Sequence, residues 1–491
     1  MNNHSGSAAG QAADKGTGIA DIPNTNISET ELQLRYIEAC RDLIREQYPD
    51  GLRYFIQNEG CQMNNLQTET VAGMIRDMGC ASADSETDAD VVIFNTCTVR
   101  ENANQKIYGR LGRLKSIKRS RPDLKIVLFG CMMQEEHVVA RIRESYRFVD
   151  LVFGTHNMHK FPELFYHSLQ SGGQIIDIWT DTDQIVEGLP CDRKYSFKTG
   201  VNIMFGCNNF CSYCIVPYVR GREKSRKPQA ILQEIEDLAS HGVTEVMLLG
   251  QNVNSYGKTL DTPVTFASLL REVEKIEGIR RIRFMTSHPK DLSDELIEVM
   301  ASSSKICHHL HLPMQSGSSR ILKKMNRHYD KERYLDLVSK IRAAVPDISL
   351  TTDIIVGFPG ETEEDFCDTL DVVEKCGFDT AFTFIYSKRT GTPAASMEGQ
   401  IPDEVVKERF GRLLELVQKK GRESSGRFTG TVQEILVEEE NREKGLLTGR
   451  TGYNLLVHFP GDPSLIGSYV KVRMDECKGF YYFGSILEEN N

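Results

Sequence analysis

The chain has 491 residues, 40% hydrophobic and 26% charged, with a formal net charge of −10. That length exceeds one compact core and sets about three domains as the expectation. No apolar run approaches the ~18 residues of a membrane span, and MNNHSGSAAGQAADKG offers no apolar h-region, so a cytoplasmic protein without membrane contact is expected. The acidic balance excludes a uniformly basic nucleic-acid coat but leaves room for a local basic patch. Cysteine is over-supplied: 13, an odd number, in a chain with no export signal. A disulfide framework is a poor fit, and metal binding or redox chemistry a better one.

In chain order, residues 1–30 are rich in Gly, Ala, Ser and Asn without an apolar period, and read as a disordered tail. From 52 to 168, the runs LRYFIQN, DVVIFNT, KIVLFG and DLVFGT alternate with helical stretches such as MNNLQTETVAGMIRDMG, which predicts a parallel α/β domain. A polar connector begins near Ser171–Gln174. The alternation resumes over 193–424, with strands in TGVNIMFG, EVMLLGQN, RIRFMTSH, HHLHLPMQS, LTTDIIVGF and TAFTFIYSK. Six β/α units suit an incomplete (β/α) barrel, with a doubly wound sheet as the alternative. Over 427–490, short glycine-punctuated runs (TVQEILVEE, LLTGRTGYNLLVHF, SYVKVRMDE, FYYFGSILE) predict a small β-barrel.

The sharpest motif is Cys207-Asn-Asn-Phe-Cys211-Ser-Tyr-Cys214, just after a predicted strand. Three thiolates on one loop can face a single inorganic centre. A structural zinc site needs a fourth ligand, and none lies nearby in sequence; a zinc knuckle completed from elsewhere is the competing reading. Three ligands to a cubane would leave one iron open for a substrate or cofactor. Cys61, Cys97 and Cys131 are dispersed, yet each closely follows a strand and precedes a helix (FIQNEGC, IFNTC, LFGC). Residues past parallel strand ends share one edge of the sheet, and helix N-termini there favour an anionic group. A second metal centre is therefore expected, against the plainer reading of three buried apolar cysteines.

The loop resembles that of the radical S-adenosylmethionine superfamily. GCNNFCSYCIVPYVRGREKSR, with EGCQMN, NTCTVRENA and GCMMQ, resembles the methylthiotransferases of that superfamily, nearest to a tRNA-modifying branch. The likeness runs from about Leu52 to Ile486. One departure follows GCQMN, where Gln67-Thr68-Glu69 replaces an Asp-Ser-Glu-like trio.

The resemblance implies two [4Fe-4S] clusters, one on Cys207, Cys211 and Cys214 and an auxiliary one on Cys61, Cys97 and Cys131. It also implies S-adenosylmethionine, chelated by the open iron and cleaved to a 5′-deoxyadenosyl radical. The implied reaction inserts a methylthio group at C2 of N6-(dimethylallyl)adenosine, at tRNA position 37 beside the anticodon. No side chain is assigned as general acid or base. Sibling reactions, on threonylcarbamoyl-adenosine in tRNA or on a ribosomal protein aspartate, are the nearest alternatives. A non-catalytic, zinc-stabilised RNA-binding protein is the alternative of another class. An electron donor, a sulfur source and a monomeric chain complete the expectation.

For the cofactor, Tyr213 is expected near the adenine. Gln251, Asn252, Ser287, His288, Gln315 and Ser316 should line the barrel mouth, with Gly357 and Gly360 allowing close backbone approach. His288, His309 and His311 also read as ordinary hydrogen-bonded histidines. For RNA, Arg220, Arg222, Lys224, Arg226 and Lys227 cluster behind the cysteine loop, and Arg110, Arg113, Lys115, Lys118, Arg119 and Arg121 form a second group. The C-terminal barrel resembles the TRAM domain, which implies RNA contacts at Lys444, Arg450 and Lys471; its acidic Glu438-Glu439-Glu440 demands a polarised binding face.

Overall fold

A computed structural model describes residues 27–98, 101–441 and 445–487. Its first element is a helix not anticipated from the sequence, Glu29–Gln47, capped by Ser28, whose hydroxyl accepts from the Glu31 amide. The helix thus starts inside the stretch read as a tail, and residues 1–26 lie outside the described set. Its buried Leu32, Tyr36, Ile37, Cys40 and Ile44 recur at helical spacing, and Cys40 rests on the Pro162 carbonyl.

The first sheet has strands β1 (Arg53–Asn58), β2 (Ala81–Ser82), β3 (Val91–Thr96), β4 (Lys125–Gly130), β5 (Leu151–Phe153) and β6 (Ile175–Asp177). They pair in parallel in the order β2-β1-β3-β4-β5-β6. The central strands are buried on both faces: Val91 and Ile93 enter one core, Val92 and Phe94 the other. The chain moves outward from β1 to β2, then returns to β3 on the other side of β1. The switch point between β1 and β3 is where a doubly wound sheet opens a crevice.

The central domain begins with β7 (Lys198–Asn202) and a short antiparallel clamp, β8 (Met204–Phe205) with β9 (Lys224–Ser225), around the cysteine loop. It continues through β10 (Glu245–Leu249), β11 (Arg281–Met285), β12 (His309–His311), β13 (Ser349–Val356) and β14 (Thr380–Ile385). Parallel sheets β7-β10-β11 and β12-β13-β14 are joined by a bridge from Ile282 to Ile306. Strand order follows chain order without reversal, so this is the open barrel and not the doubly wound alternative. Leu248, Ile282, Leu310, Leu350 and Ile354 pack outward under the helices.

The last domain is a closed barrel of β15 (Val432–Asn441), β16 (Leu446–Thr451), β17 (Leu456–Phe459), β18 (Tyr469–Cys477) and β19 (Tyr481–Ile486). LLTGRTGYNLLVHF supplies both β16 and β17, turning at Asn454, which takes a left-handed φ of 64°. This barrel closes the N-terminal end of the central one. Glu438 pairs with Lys198 at 2.6 Å, Glu439 with Lys194 at 3.7 Å, and Glu434 with Arg281 at 3.1 Å, while Arg283 donates to the Thr451 carbonyl. The acidic run thus splits between surfaces: Glu438 and Glu439 face the central domain.

Candidate metal and cofactor centres

The cysteine loop is held by backbone. Gly206 sits at φ 69°, and a Cβ there would lie 2.0 Å from the Arg222 carbonyl, so only glycine lets the two arms of the clamp close. Cys207 N–H donates to the Gly221 carbonyl, Cys214 N–H to that of Cys211, and Ser212 to Lys324 and Met325 carbonyls. Burial, followed by the neighbouring cysteines, pushes Cys214 up to about 12; burial does the same to Cys207, to about 11. The Arg327 guanidinium lies 3.5 Å from Cys211 Sγ.

The dispersed cysteines also meet. Cys61, Cys97 and Cys131 leave the C-terminal ends of β1, β3 and β4, at the switch point. Asn64 is the hub: its Oδ1 lies 3.4 Å from Cys61 Sγ and 4.0 Å from Cys131 Sγ, and its Nδ2 donates to Asn95 Oδ1 and the Thr96 carbonyl. Gly130, at φ 105°, passes so close that a Cβ would sit 2.5 Å from the Thr96 carbonyl oxygen. Burial pushes the Cys131 thiol up to about 11, with Cys97 and Cys61 adding to the shift and Arg220 opposing it.

One short helix joins the two triads. Val216–Arg220 starts directly after Cys214 and Ile215. Ile215 and Val219 pack on Cys131, and Arg220 Nη2 donates to Asn64 Oδ1 at 2.7 Å and to Gln67 Oε1 at 3.2 Å. The helix's five residues rise about 7 Å, from the end of the loop triad to Arg220 beside the dispersed one. Gln251 spans the same gap to Met63, next but one to Cys61.

Among the described residues, no three His, Cys, Asp or Glu donors are gathered around a point that one ion could occupy. Each set of three cysteines is a donor set that suits an iron–sulfur cubane. The rim beside the cysteine loop fits a polar cofactor. Asn202 Oδ1, Asn252 Oδ1, both amide atoms of Asn254, Ser287 Oγ and His288 Nε2 are buried without a hydrogen-bond partner in the protein. Buried polar groups are rarely left so. His288 Nδ1 accepts from the Lys290 amide. Burial, then Arg327 and Lys290, holds this ring neutral, so its proton is assigned to the orphaned Nε2.

Asn252, Ser287 and His288 thus stand together at the mouth, with Asn254, which the sequence reading missed, in the turn just after Asn252, while Asn202 lines a separate cavity with Arg193 and Glu234. Tyr213 packs beside Ile321, Met325 and Phe358. Gln315 is buried at φ 67° with its amide bonded to Asp353, and Ser316 turns toward Thr369. The close approaches of Gly357 and Gly360 are to Val406 and Lys324, so glycine there serves the packing of this chain's own helices. His311 and His309 contact Thr351 and line the lumen, where His311 meets Phe382.

The basic groups are largely spoken for. Arg220 is 7% exposed and Arg226 6%. Arg226 pairs with Glu187 and Glu234, and Lys224 with the Thr182 carbonyl. Burial takes Arg220 and Arg226 out of reach of a phosphate backbone, which corrects the sequence reading. Arg222, over the Phe210 ring, and Lys227 remain exposed. In the other group Arg113 and Arg121 pair with Glu86 and Asp90. Arg450 leans on Glu438 at the inter-barrel contact, Lys471 is exposed, and Lys444 lies outside the described residues.

An open parallel barrel with three cysteines on the loop after its first strand, and orphaned polar groups at its rim, defines a radical S-adenosylmethionine core. The model described as "Radical SAM superfamily" matches residues 201–373, with "Uncharacterized protein family UPF0004" over 53–154 and "TRAM domain" over 426–487. Membership of that superfamily implies a [4Fe-4S] cluster and S-adenosylmethionine.

A tRNA-2-methylthio-N(6)-dimethylallyladenosine synthase of Lachnoclostridium phytofermentans is 61% identical, covering 89% of this chain and 96% of its own. The synthase of the same name from Acetivibrio thermocellus is 53% identical, covering 96% and 99%. The chain belongs to the tRNA-2-methylthio-N(6)-dimethylallyladenosine synthase family. Among solved structures, the radical S-adenosylmethionine methyltransferase TsrM from Kitasatospora setae shares the fold, with a TM-score of 0.50 at 14% identity over 70% of this chain and 75% of that one.

Proposed function

We propose that the protein inserts a methylthio group at C2 of N6-(dimethylallyl)adenosine at position 37 of tRNA, beside the anticodon. The observation that carries this reading is the helix Val216–Arg220, which leaves the loop triad and meets the dispersed triad through Ile215, Val219 and Arg220. Cys207, Cys211 and Cys214 would hold one [4Fe-4S] cluster, and Cys61, Cys97 and Cys131 a second. When bound, these groups would supply reductive cleavage of S-adenosylmethionine at the first site and the inserted sulfur at the second.

The protein's own part is placement. Asn252, Asn254, Ser287 and His288 would present unpaired polar atoms to S-adenosylmethionine. The lumen offers the substrate base an apolar face in Phe382 and Phe384, which remain 49% and 48% exposed on β14. Adenine C2–H is too weakly acidic for any side-chain base here, so none is assigned. An electron donor and a sulfur source are required partners. The chain acts as a cytoplasmic monomer; among the described residues no helix is long and apolar enough to cross a membrane.

The test is anaerobic turnover by purified protein on tRNA carrying dimethylallyladenosine and lacking only the methylthio group, read by nucleoside mass. Product from threonylcarbamoyl-adenosine tRNA or a ribosomal protein instead would overturn the substrate assignment. Colourless, zinc-bearing protein would overturn the mechanism.

A further inference from the structure

The described residues include six buried arginines: Arg220, Arg226, Arg281, Arg283, Arg327 and Arg409. Four face carboxylates: Arg226 with Glu234, Arg281 with Glu434, Arg283 with Glu245, and Arg409 with Glu361. The other two face cysteines. Arg220 donates to the neutral amides of Asn64 and Gln67 and stands against Cys131, Cys61 and Cys97. Arg327 bonds Tyr329, the Pro313 carbonyl and Cys211 Sγ. Among the described residues, neither guanidinium has a carboxylate within ion-pair distance; their partners are amides, a carbonyl, a hydroxyl and a thiol.

A buried guanidinium without a counter-charge is costly, by several kcal/mol in proteins generally. Six neutral thiols cannot offset two such charges. Cubanes held by thiolates are anionic and can, and the net charge around a cubane is one of the quantities that sets its potential. Resting on the proposed placement of two clusters, we infer that Arg220 is the counter-cation of the centre on Cys61, Cys97 and Cys131, raising its reduction potential, as Arg327 is for the centre on the loop.

Arg220 belongs to the radical S-adenosylmethionine core yet neutralises the centre of the neighbouring domain. The second centre is charge-balanced only when the two domains are docked, and its potential is set in part by the helix that starts at the first. Arg220 is thus a positioning and tuning residue, not a catalytic one.

The test uses full-length protein in a Cys207→Ala/Cys211→Ala/Cys214→Ala background, so that any cubane belongs to the second triad, with potential read by anaerobic EPR titration. Arg220→Gln should shift the potential to more negative values, and Arg220→Lys should return most of that shift. Arg327→Gln should leave this centre unmoved and shift only the loop centre in a Cys61→Ala/Cys97→Ala/Cys131→Ala background. An unchanged potential in iron-replete Arg220→Gln protein overturns the inference. If Arg220→Gln does not retain iron, loading of Arg220→Lys supports the role of charge, and equal failure of both overturns it. If the background protein with Arg220 intact binds no iron, the cluster placement itself falls, a result separate from those above.

Discussion

The two ends of the central barrel use the same side chain for opposite purposes. At the N-terminal end Arg281 and Arg283 meet Glu245 and Glu434, and Arg283 also caps the Thr451 carbonyl of the small barrel. The ion pairs there are made within the protein, which is how a permanent contact is built. At the C-terminal end Arg220 and Arg327 meet thiols, and Asn254, Ser287 and His288 hold polar atoms that nothing in the chain satisfies. The guanidinium groups of one end are matched by carboxylates of the chain, whereas those of the other face thiols. In parallel barrels the C-terminal rim is where chemistry sits and the opposite face is where stability is maintained.

The largest effects should come from dividing the open end. Cys211→Ala should abolish S-adenosylmethionine cleavage, measured as 5′-deoxyadenosine release. Cys97→Ala should spare uncoupled cleavage while abolishing methylthio insertion. Equal losses in both assays would erase the division of labour between the triads.

At the closed end, Arg283→Met leaves Glu245 buried without its main partner and should cost about 3–5 kcal/mol in unfolding experiments. The paired change with Glu245→Leu should recover much of it. Iron content should stay at the parental level in both, and iron loss matching the stability loss would show that the ends are not independent.

Acid should distinguish the ends too. Burial pushes the Glu245 carboxyl up, but Arg283, Arg281 and Lys198 outweigh it and hold the group below its usual value. A carboxylate depressed in the folded state contributes stability above its unfolded pKa of about 4.3 and loses it as pH falls through the lower folded value. The melting temperature should therefore drop below pH ~4 in the parent and more weakly in the Arg283→Met/Glu245→Leu protein. Iron loading has the opposite origin: thiols raised to about 11 at Cys131 and Cys207 must release protons to bind metal, so uptake should speed up from pH 7 to 9.

A smaller effect should follow from crowding one glycine at the open end. Gly130→Ala places a methyl against the Thr96 carbonyl at a left-handed φ. Strain of this kind is worth about 1–3 kcal/mol, and it should fall on the dispersed triad, lowering iron content toward half while Gly206 still shapes the loop triad.

This contrast also explains what could be read from the chain before folding. The loop triad is a local string, and Cys61, Cys97 and Cys131 announced themselves by following strands. Strands β10, β11 and β13 lay in clear apolar runs, whereas the two-residue β2, Ala81–Ser82, offers no apolar side chain beyond an alanine. Arg220 misled because charge in a sequence looks alike whether it ends on solvent or on a buried triad. Its signal was the apolar Ile215, Val216 and Val219, which mark the helix carrying it as buried. Glu438 and Glu439 looked like an obstacle to RNA because Lys194 and Lys198, their partners, are more than two hundred residues away.

The outer face of the small barrel carries the mildest prediction. Arg450 is drawn into the closed end by Glu438, and its own carbonyl accepts from Arg281. Lys471, on the strand beside β15, is exposed and has no carboxylate within ion-pair distance among the described residues. If tRNA crosses that face, Lys471→Ala should weaken binding by a few-fold and flatten the dependence of log affinity on log salt by about one unit of slope. Arg450→Ala should leave that slope alone and lower the melting temperature instead. A slope change in Arg450→Ala equal to that in Lys471→Ala would move the RNA path onto the inter-barrel seam and reassign Arg450 from the closed end to the binding face.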